Sequence, residues 1–244
     1  MATITKAQWD EYAKTLGKTH DRAVRMMNSW FKIHSNEPFE EGIKYACKVA
    51  SKYSKASGSL AAELYDAIAV MQGRAVPPAE IFGQPTYGQL AKACKKAARN
   101  AEFYKRAEAV SETAGGFIKR TGMETILGNV KRDGIAEFAW VPSGDSCAFC
   151  QMLASNGWRK ASDLDNHEMH VHTNCNCTYA VRFSDSLTLG GYEPEKYRRK
   201  YNAAEGDTWQ EKINSMRRDN YAKHKDEINE QKREAYARRM QNNE

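Results

Sequence analysis

Four of the six cysteines lie between residues 147 and 177, and this stretch constrains the chain more than any other. It reads Cys147-Ala-Phe-Cys150, then twenty-four residues, then Cys175-Asn-Cys177, with His167, His170 and His172 crowded before the second pair. A C-x2-C turn places two thiolates close enough to share one metal ion, and zinc takes four such ligands tetrahedrally at ~2.0–2.3 Å. Asp145 suits the N-cap of a short helix starting near Ser146, whose N-terminus would help hold Cys147 and Cys150 as thiolates. Five residues compete for four places: Cys147, Cys150, His172, Cys175 and Cys177. In an extended Cys175-Asn-Cys177 both thiols point the same way, and the count does not decide which ligand is surplus.

Three other readings compete with a metal. Disulfides need an oxidising compartment, and the opening Met1-Ala-Thr-Ile-Thr-Lys has no apolar signal-peptide core, so a reducing one is expected. A redox C-x-x-C needs a βαβ context, which the flanking sequence lacks. Four structural thiols buried in so polar a segment would be unusual. A catalytic zinc is disfavoured as well. The deaminase pattern H-x-E followed by P-C-x-x-C fails on order. His167-Glu168-Met169-His170 is one residue short of H-E-x-x-H. Thiolate-rich ligand sets close the open position that a catalytic metal needs, so structural Zn2+ is the expected cofactor.

Elsewhere the pattern is helical. Trp9, Tyr12, Leu16, Ala23, Met27, Trp30 and Phe31 recur at spacings of three or four, with a gap around His20, which predicts one helix from residue 5 to about 35. Asn36 and Pro38 are placed to start a second helix through Ile43, Cys47, Ala50 and Tyr53. Cys47 is expected as a core thiol. Gly58 weakens the pattern, which continues or restarts at Leu60 and ends at Gly73. Pro77-Pro78 and Pro85 then mark a firm boundary, because proline cannot continue a helix. A further helix is expected from Tyr87 to about Val110, and another from Phe117 to Arg132 after an interruption at Gly115-Gly116. Ala136–Val141 alternates as a strand does, and Tyr179–Phe183 is expected as a second strand that could pair with it and close the module. Helices bearing Tyr197 and Tyr201, then Trp209, Ile213 and Met216, follow. Beyond Arg217 the apolar stripe thins, leaving either a frayed polar helix or, as favoured here, an arm that orders on a partner.

The net charge of +6 is mildly basic. The outer face of the helix after Tyr87 carries Lys92, Lys95, Lys96 and Arg99, with Lys105 and Arg106 beyond. Such a run is ordinarily a solvated face; its functional reading is sequence-blind contact with nucleic-acid phosphates. No apolar run approaches the ~18 residues of a membrane span, so no membrane partner is expected.

Val141-Pro-Ser-Gly-Asp145-Ser-Cys147-Ala-Phe-Cys150-Gln-Met-Leu-Ala-Ser155-Asn-Gly157, followed by His172-Thr-Asn-Cys175-Asn-Cys177, resembles the phage head morphogenesis (Mu F-like) minor capsid family. Ser59-Leu-Ala-Ala-Glu-Leu-Tyr65-Asp66 is similar to a helical motif in the N-terminal half of one branch of it, so the resemblance spans roughly residues 59–180. It implies a virion protein present in few copies, assembled in the host cytoplasm, with phage portal and capsid proteins as partners and no small-molecule substrate.

The combined expectation is a mainly α, non-enzymatic protein in three parts. These are an N-terminal helical bundle (1–134), a small zinc-stabilised α+β module (135–185) and a helical C-terminal arm (186–244). Two other classes compete: a zinc-dependent hydrolase or nuclease using the His167/Glu168/His170 surplus, and a zinc-ribbon DNA-binding regulator using the basic helix.

Overall fold

The computed structural model describes residues 2–143, 146–163 and 177–241, with side chains to 234. The chain divides into two compact units. The first comprises Met1–Gly144 and Gly157–Tyr192, the second Asp145–Asn156 and Glu193–Glu244.

In the first unit four long helices surround one core. α1 (Lys6–Ile33) opens with a capping box, in which the Gln8 amide donates to Thr5 Oγ1 while the Thr5 amide donates to Gln8 Oε1; two amides at the helix start are thereby satisfied. Trp9, Ala23 and Met27 form its buried face. α2 (Phe39–Met71) is a single helix of 33 residues whose N-cap is Pro38, not Asn36. α3 (Tyr87–Asn100) opens with a second capping box, made by Thr86 and Gln89. A 3-10 turn at Phe103–Lys105 leads into α4 (Arg106–Asp133), which closes on Gly134 at φ 67°, a left-handed position that favours glycine. Met27, Ile43, Ala46, Cys47, Leu90, Cys94, Val110 and Ile118 pack together as the core of these helices.

Two expectations about helix limits are overturned. The helix expected from Tyr87 to Val110 ends at Asn100, because Ala101 turns extended (φ −92°, ψ 149°). Conversely, Gly115-Gly116 does not interrupt α4; at Gly58, where continuation and restart were both open, α2 continues. Those glycines are sites of close approach. A Cβ at Gly115 would sit 2.7 Å from His20 Nε2, and one at Gly58 would sit 2.4 Å from Ile81 Cγ2. Both distances are shorter than van der Waals contact, so the packing gained outweighs the ~1 kcal/mol helix cost of each glycine.

The connector between α2 and α3 is held along α4 by a buried polar stripe. Arg132 donates to the Pro77 and Pro78 carbonyls at 2.9 Å. The Asn129 amide receives the Glu80 N–H at 3.0 Å and donates to the Glu80 carbonyl at 2.8 Å. Thr125 Oγ1 accepts from Phe82 N at 3.2 Å, and Thr121 Oγ1 donates to the Gly83 carbonyl at 3.1 Å. Thr121, Thr125 and Asn129 are fully buried; their spacing of four puts them on one helix face. Gly128 leaves room for the Phe82 ring, since a Cβ there would lie 2.3 Å from Phe82 Cγ. At the end of the stripe Tyr65 donates to Asp133 Oδ2 at 2.8 Å, and Arg132 Nε donates to Asp133 Oδ1 at 2.7 Å. Burial, with Asp133 beside it, pushes the Tyr65 phenol well above its ordinary pKa. Burial alone would raise Asp133; the Arg132 and Tyr65 hydrogen bonds outweigh it and leave the carboxyl below its usual value.

β2 (Glu137–Val141) lies between β3 (Arg159–Lys160) and β4 (Thr178–Arg182), antiparallel to both. Phe138 pairs with Val181 and Trp140 with Tyr179. Arg182 bonds Glu137 across the pair at 2.6 Å. Beyond β4, Phe183 meets the Tyr65 ring edge to face at 5.2 Å and its amide donates to the Gln72 side chain at 2.7 Å. These strands, expected in a separate module, therefore share the compact unit of α1–α4. β1 (Thr3–Ile4) pairs in parallel with β5 (Thr188–Leu189).

The second unit contains α5 (Ala148–Ser155), α6 (Pro194–Asn202) and α7 (Trp209–Gln241). Arg198 of α6 donates to the Ser155 carbonyl at 3.2 Å, Lys200 donates to Gln151 Oε1 at 2.7 Å, and Trp209 lies 6.4 Å from the Phe149 ring. Ile213 and Met216 are the buried apolar residues of α7; residues 217–227 are exposed, and the helix kinks at His224. Among the described residues no helix is long and apolar enough to cross a membrane.

Candidate metal centre and basic helix face

The first cysteine pair is built by the start of α5. Cys147, not Asp145, is the N-cap residue: its backbone is extended (φ −66°, ψ 162°) and its Sγ accepts the Cys150 N–H at 3.5 Å. Asp145 itself lies outside the described residues. Gln151 reinforces the turn, donating from its side chain to the Ser146 carbonyl at 2.6 Å and from its backbone to the Cys147 carbonyl at 3.0 Å. Cys147 is exposed and Cys150 is buried. A sulfur at a helix start that accepts a backbone N–H has its lone pairs oriented by the fold. Chemically, that fits a zinc ligand.

Cys177 is placed by the other unit. The β2–β4 register pairs Val141 with Thr178, which sets Ser143 beside the residue preceding β4. The Ser143 N–H donates to Cys177 Sγ at 3.4 Å, and Cys177 is 6 % exposed. It thus repeats the feature seen at Cys147, a sulfur held by a backbone amide. His172 and Cys175 lie outside the described residues, as do His167, Glu168 and His170. Among the described residues no group of three or more His, Cys, Asp or Glu is gathered to hold a metal.

The remaining cysteines occupy different chemistry. Cys47, expected as a core thiol, and Cys94 are both buried where α2 meets α3. Their mutual hydrogen bond raises the Cys94 pKa and lowers that of Cys47.

Lys92, Lys95, Lys96 and Arg99 are all exposed on α3. They are not equivalent. Lys95 is ion-paired with Glu40 of α2 at 2.7 Å, and Arg99 Nε donates back to the Lys95 carbonyl at 3.3 Å. Lys105 and Arg106, expected further along the same helix, instead flank the break between α3 and α4. The sequence carried no proline or glycine to announce that break.

No curated protein and no solved structure matches the chain. The family model described as VG15 protein matches residues 3–204, which takes in the first unit from Thr3 onward together with α5 and α6 and stops before α7. The chain belongs to the VG15 protein family, a family of phage proteins.

Proposed function

We propose that this protein is a minor head protein of a tailed phage or prophage, of the Mu F-like head-morphogenesis kind, serving assembly through contacts with the portal and capsid proteins. The observation that carries the reading is the phage-family match over residues 3–204. The Cys147–Cys150 and His172–Cys175–Cys177 pattern adds the resemblance to the head-morphogenesis branch. The role is structural, without catalysis, and the place of action is the virion. Contact with packaged DNA, through Lys92, Lys95, Lys96 and Arg99, would be electrostatic and sequence-blind.

A structural zinc belongs to the same proposal. Cys147 and Cys150 would supply two thiolates, with the remaining ligands drawn from His172, Cys175 and Cys177. The two backbone N–H···S bonds, to Cys147 and Cys177, support that assignment. The zinc would supply binding energy to the fold and no chemistry.

Two measurements test the proposal. Purified phage heads should contain the chain in a few copies per particle, and it should co-sediment with portal protein; exclusion from heads overturns the reading. Metal analysis of the purified chain should give about one zinc per molecule. Cys147→Ser should lose that zinc and Cys94→Ser should keep it. Metal-free protein with every thiol titratable overturns the zinc assignment, and chelator-sensitive nuclease activity would establish the hydrolase class in its place.

A further inference from the structure

A pocket of about 440 Å³ opens between the first turn of α2, the second half of α3 and the first residue of α4. Ile43 and Ala98 form a buried apolar floor, and Phe39 stands partly exposed at its edge, stacked on Phe31 at 5.1 Å. The Glu40 carboxylate on the wall is already matched by Lys95 at 2.7 Å. The charge left over is that of two guanidinium groups, Arg99 and Arg106.

Arg106 is the more telling of the two. Its Nε is shielded from water and meets no acceptor among the described residues. With Nε closed to solvent, it is the terminal nitrogens of the guanidinium fork that a ligand oxygen would meet. An apolar floor beside two guanidinium groups suits an organic anion better than a hydrated metal or a bare inorganic ion, and guanidinium forks match phosphate oxygens in particular. The volume lies within the range of small-molecule sites.

The surroundings indicate what the anion carries. Phe103 and Tyr104 project beside Arg106 with 83% and 75% of their surface exposed. Arg106 lies over the Phe103 ring at 5.4 Å, and Lys105, ion-paired with Glu102 at 3.1 Å, lies over the Tyr104 ring at 5.2 Å. Solvent-facing rings interleaved with cations form a platform for bases whose faces are free. A duplex keeps those faces stacked inside and cannot use it.

We infer that the α2–α3–α4 pocket is a nucleotide subsite for single-stranded nucleic acid, with a backbone phosphate on Arg99 and Arg106 and a base against Phe103 or Tyr104. This deepens the nucleic-acid part of the function proposed above, moving the specific contact from the outer face of α3 to Arg106, and it does not depend on the capsid role.

The test uses the full chain and a fluorescein-labelled decathymidylate in an anisotropy titration. Competitors are unlabelled duplex of equal length, adenosine 5′-monophosphate, inorganic phosphate and a short peptide ending in a leucine carboxylate. Single strand should outcompete duplex by about tenfold, and the mononucleotide should compete better than inorganic phosphate. Arg106→Gln should weaken binding about tenfold, as expected for a lost charge-assisted hydrogen bond. Phe103→Ala should weaken it by about fivefold or more. Lys55→Gln, exposed on α2 and outside both the pocket and the basic face of α3, should change it less than about twofold. Circular dichroism confirms that each variant is folded. Duplex binding as tight as single strand, with Lys92→Gln costing as much as Arg106→Gln, overturns the subsite and leaves only the diffuse contact of the proposed function. No binding of any probe overturns both forms of nucleic-acid contact, and preferential competition by the peptide assigns the pocket to a protein carboxylate instead.

Discussion

Replacing Asn129 by alanine tests the polar stripe of α4 directly. Asn129 is fully buried and joins three partners: the Glu80 N–H at 3.0 Å, the Glu80 carbonyl at 2.8 Å and the Thr125 carbonyl at 2.8 Å. The Thr125 carbonyl is in mid-helix and keeps a backbone bond, so its loss matters least. Both peptide groups of Glu80 lose their side-chain partner. A typical bond is worth about 1 kcal/mol net, and a buried group left unpaired costs about 1–3 kcal/mol. Because the Glu80 side chain faces water, hydration can reach its peptide groups in part, which puts the total near the lower end. The expected loss is about 2–3 kcal/mol, or a Tm drop of roughly 5–10 °C for a unit of this size. Denaturant unfolding measures the first, and hydrogen exchange should show the Glu80 amide losing protection while the amides of α1 keep theirs. A change below about 0.5 kcal/mol with an unchanged Glu80 amide would refute the claim that side chains of α4 hold the connector.

Glycine substitutions give a paired expectation. Gly128→Ala should cost about 1–2 kcal/mol net, because Phe82 Cγ is 2.3 Å away on a residue anchored to Thr125, whereas Gly17→Ala, with nothing within 4 Å, should stabilise α1 by up to about 1 kcal/mol. Equilibrium unfolding of both variants distinguishes the effects by sign. His20 provides a pH test. Burial, then the charge of Lys119, lowers its pKa, and the Asp21 contact opposes this only in part. A depressed histidine is neutral in the folded state, so the unfolded chain binds more protons as pH falls. Stability should therefore be complete above the unfolded value of about 6.5 and decline as pH drops from there towards the lowered folded value. In His20→Gln that part of the slope should flatten; an unchanged slope would show that His20 does not contribute it.

Periodicity made much of the helical architecture legible. The apolar stripe from Trp9 to Phe31 marks α1, and the runs around Phe138 and Tyr179 mark the strands that pair. The misplaced boundaries share a cause: local signals were taken as decisive where packing decides. Gly58 and Gly115 read as weak helix positions because their value lies in residues distant in sequence, Ile81 and His20, which press against them. The break after Asn100 went unseen because alanine and aromatic residues surround it. Nor does the sequence reveal that Phe183, just beyond β4, packs on Tyr65 of α2. At the candidate metal centre, the residue types were legible, but the N-cap role of Cys147 was not, since aspartate two positions earlier is the stronger local signal. Arg106 gave no signal as a pocket residue, because its neighbours Phe39 and Ile43 come from another helix.

The connector along α4 also has a phase. Passing from Glu80 to Phe82 advances an extended chain by about 6.6 Å, and passing from Asn129 to Thr125 climbs four residues of helix, about 6.0 Å. The two steps nearly coincide, so Phe82 meets Thr125 as Glu80 meets Asn129, and the Gly83 carbonyl then reaches Thr121. A surface loop ordinarily accepts an inserted residue at little cost. Here one residue added between Pro78 and Gly83 would put every later group out of step with its partner on α4 and slide the Phe82 ring off Gly128. An epitope tag or labelling site belongs at Ala75 or Gln84, outside the stretch that keeps step, and a chain that tolerated insertion at Ile81 would have to carry the new residue as a bulge turned towards solvent.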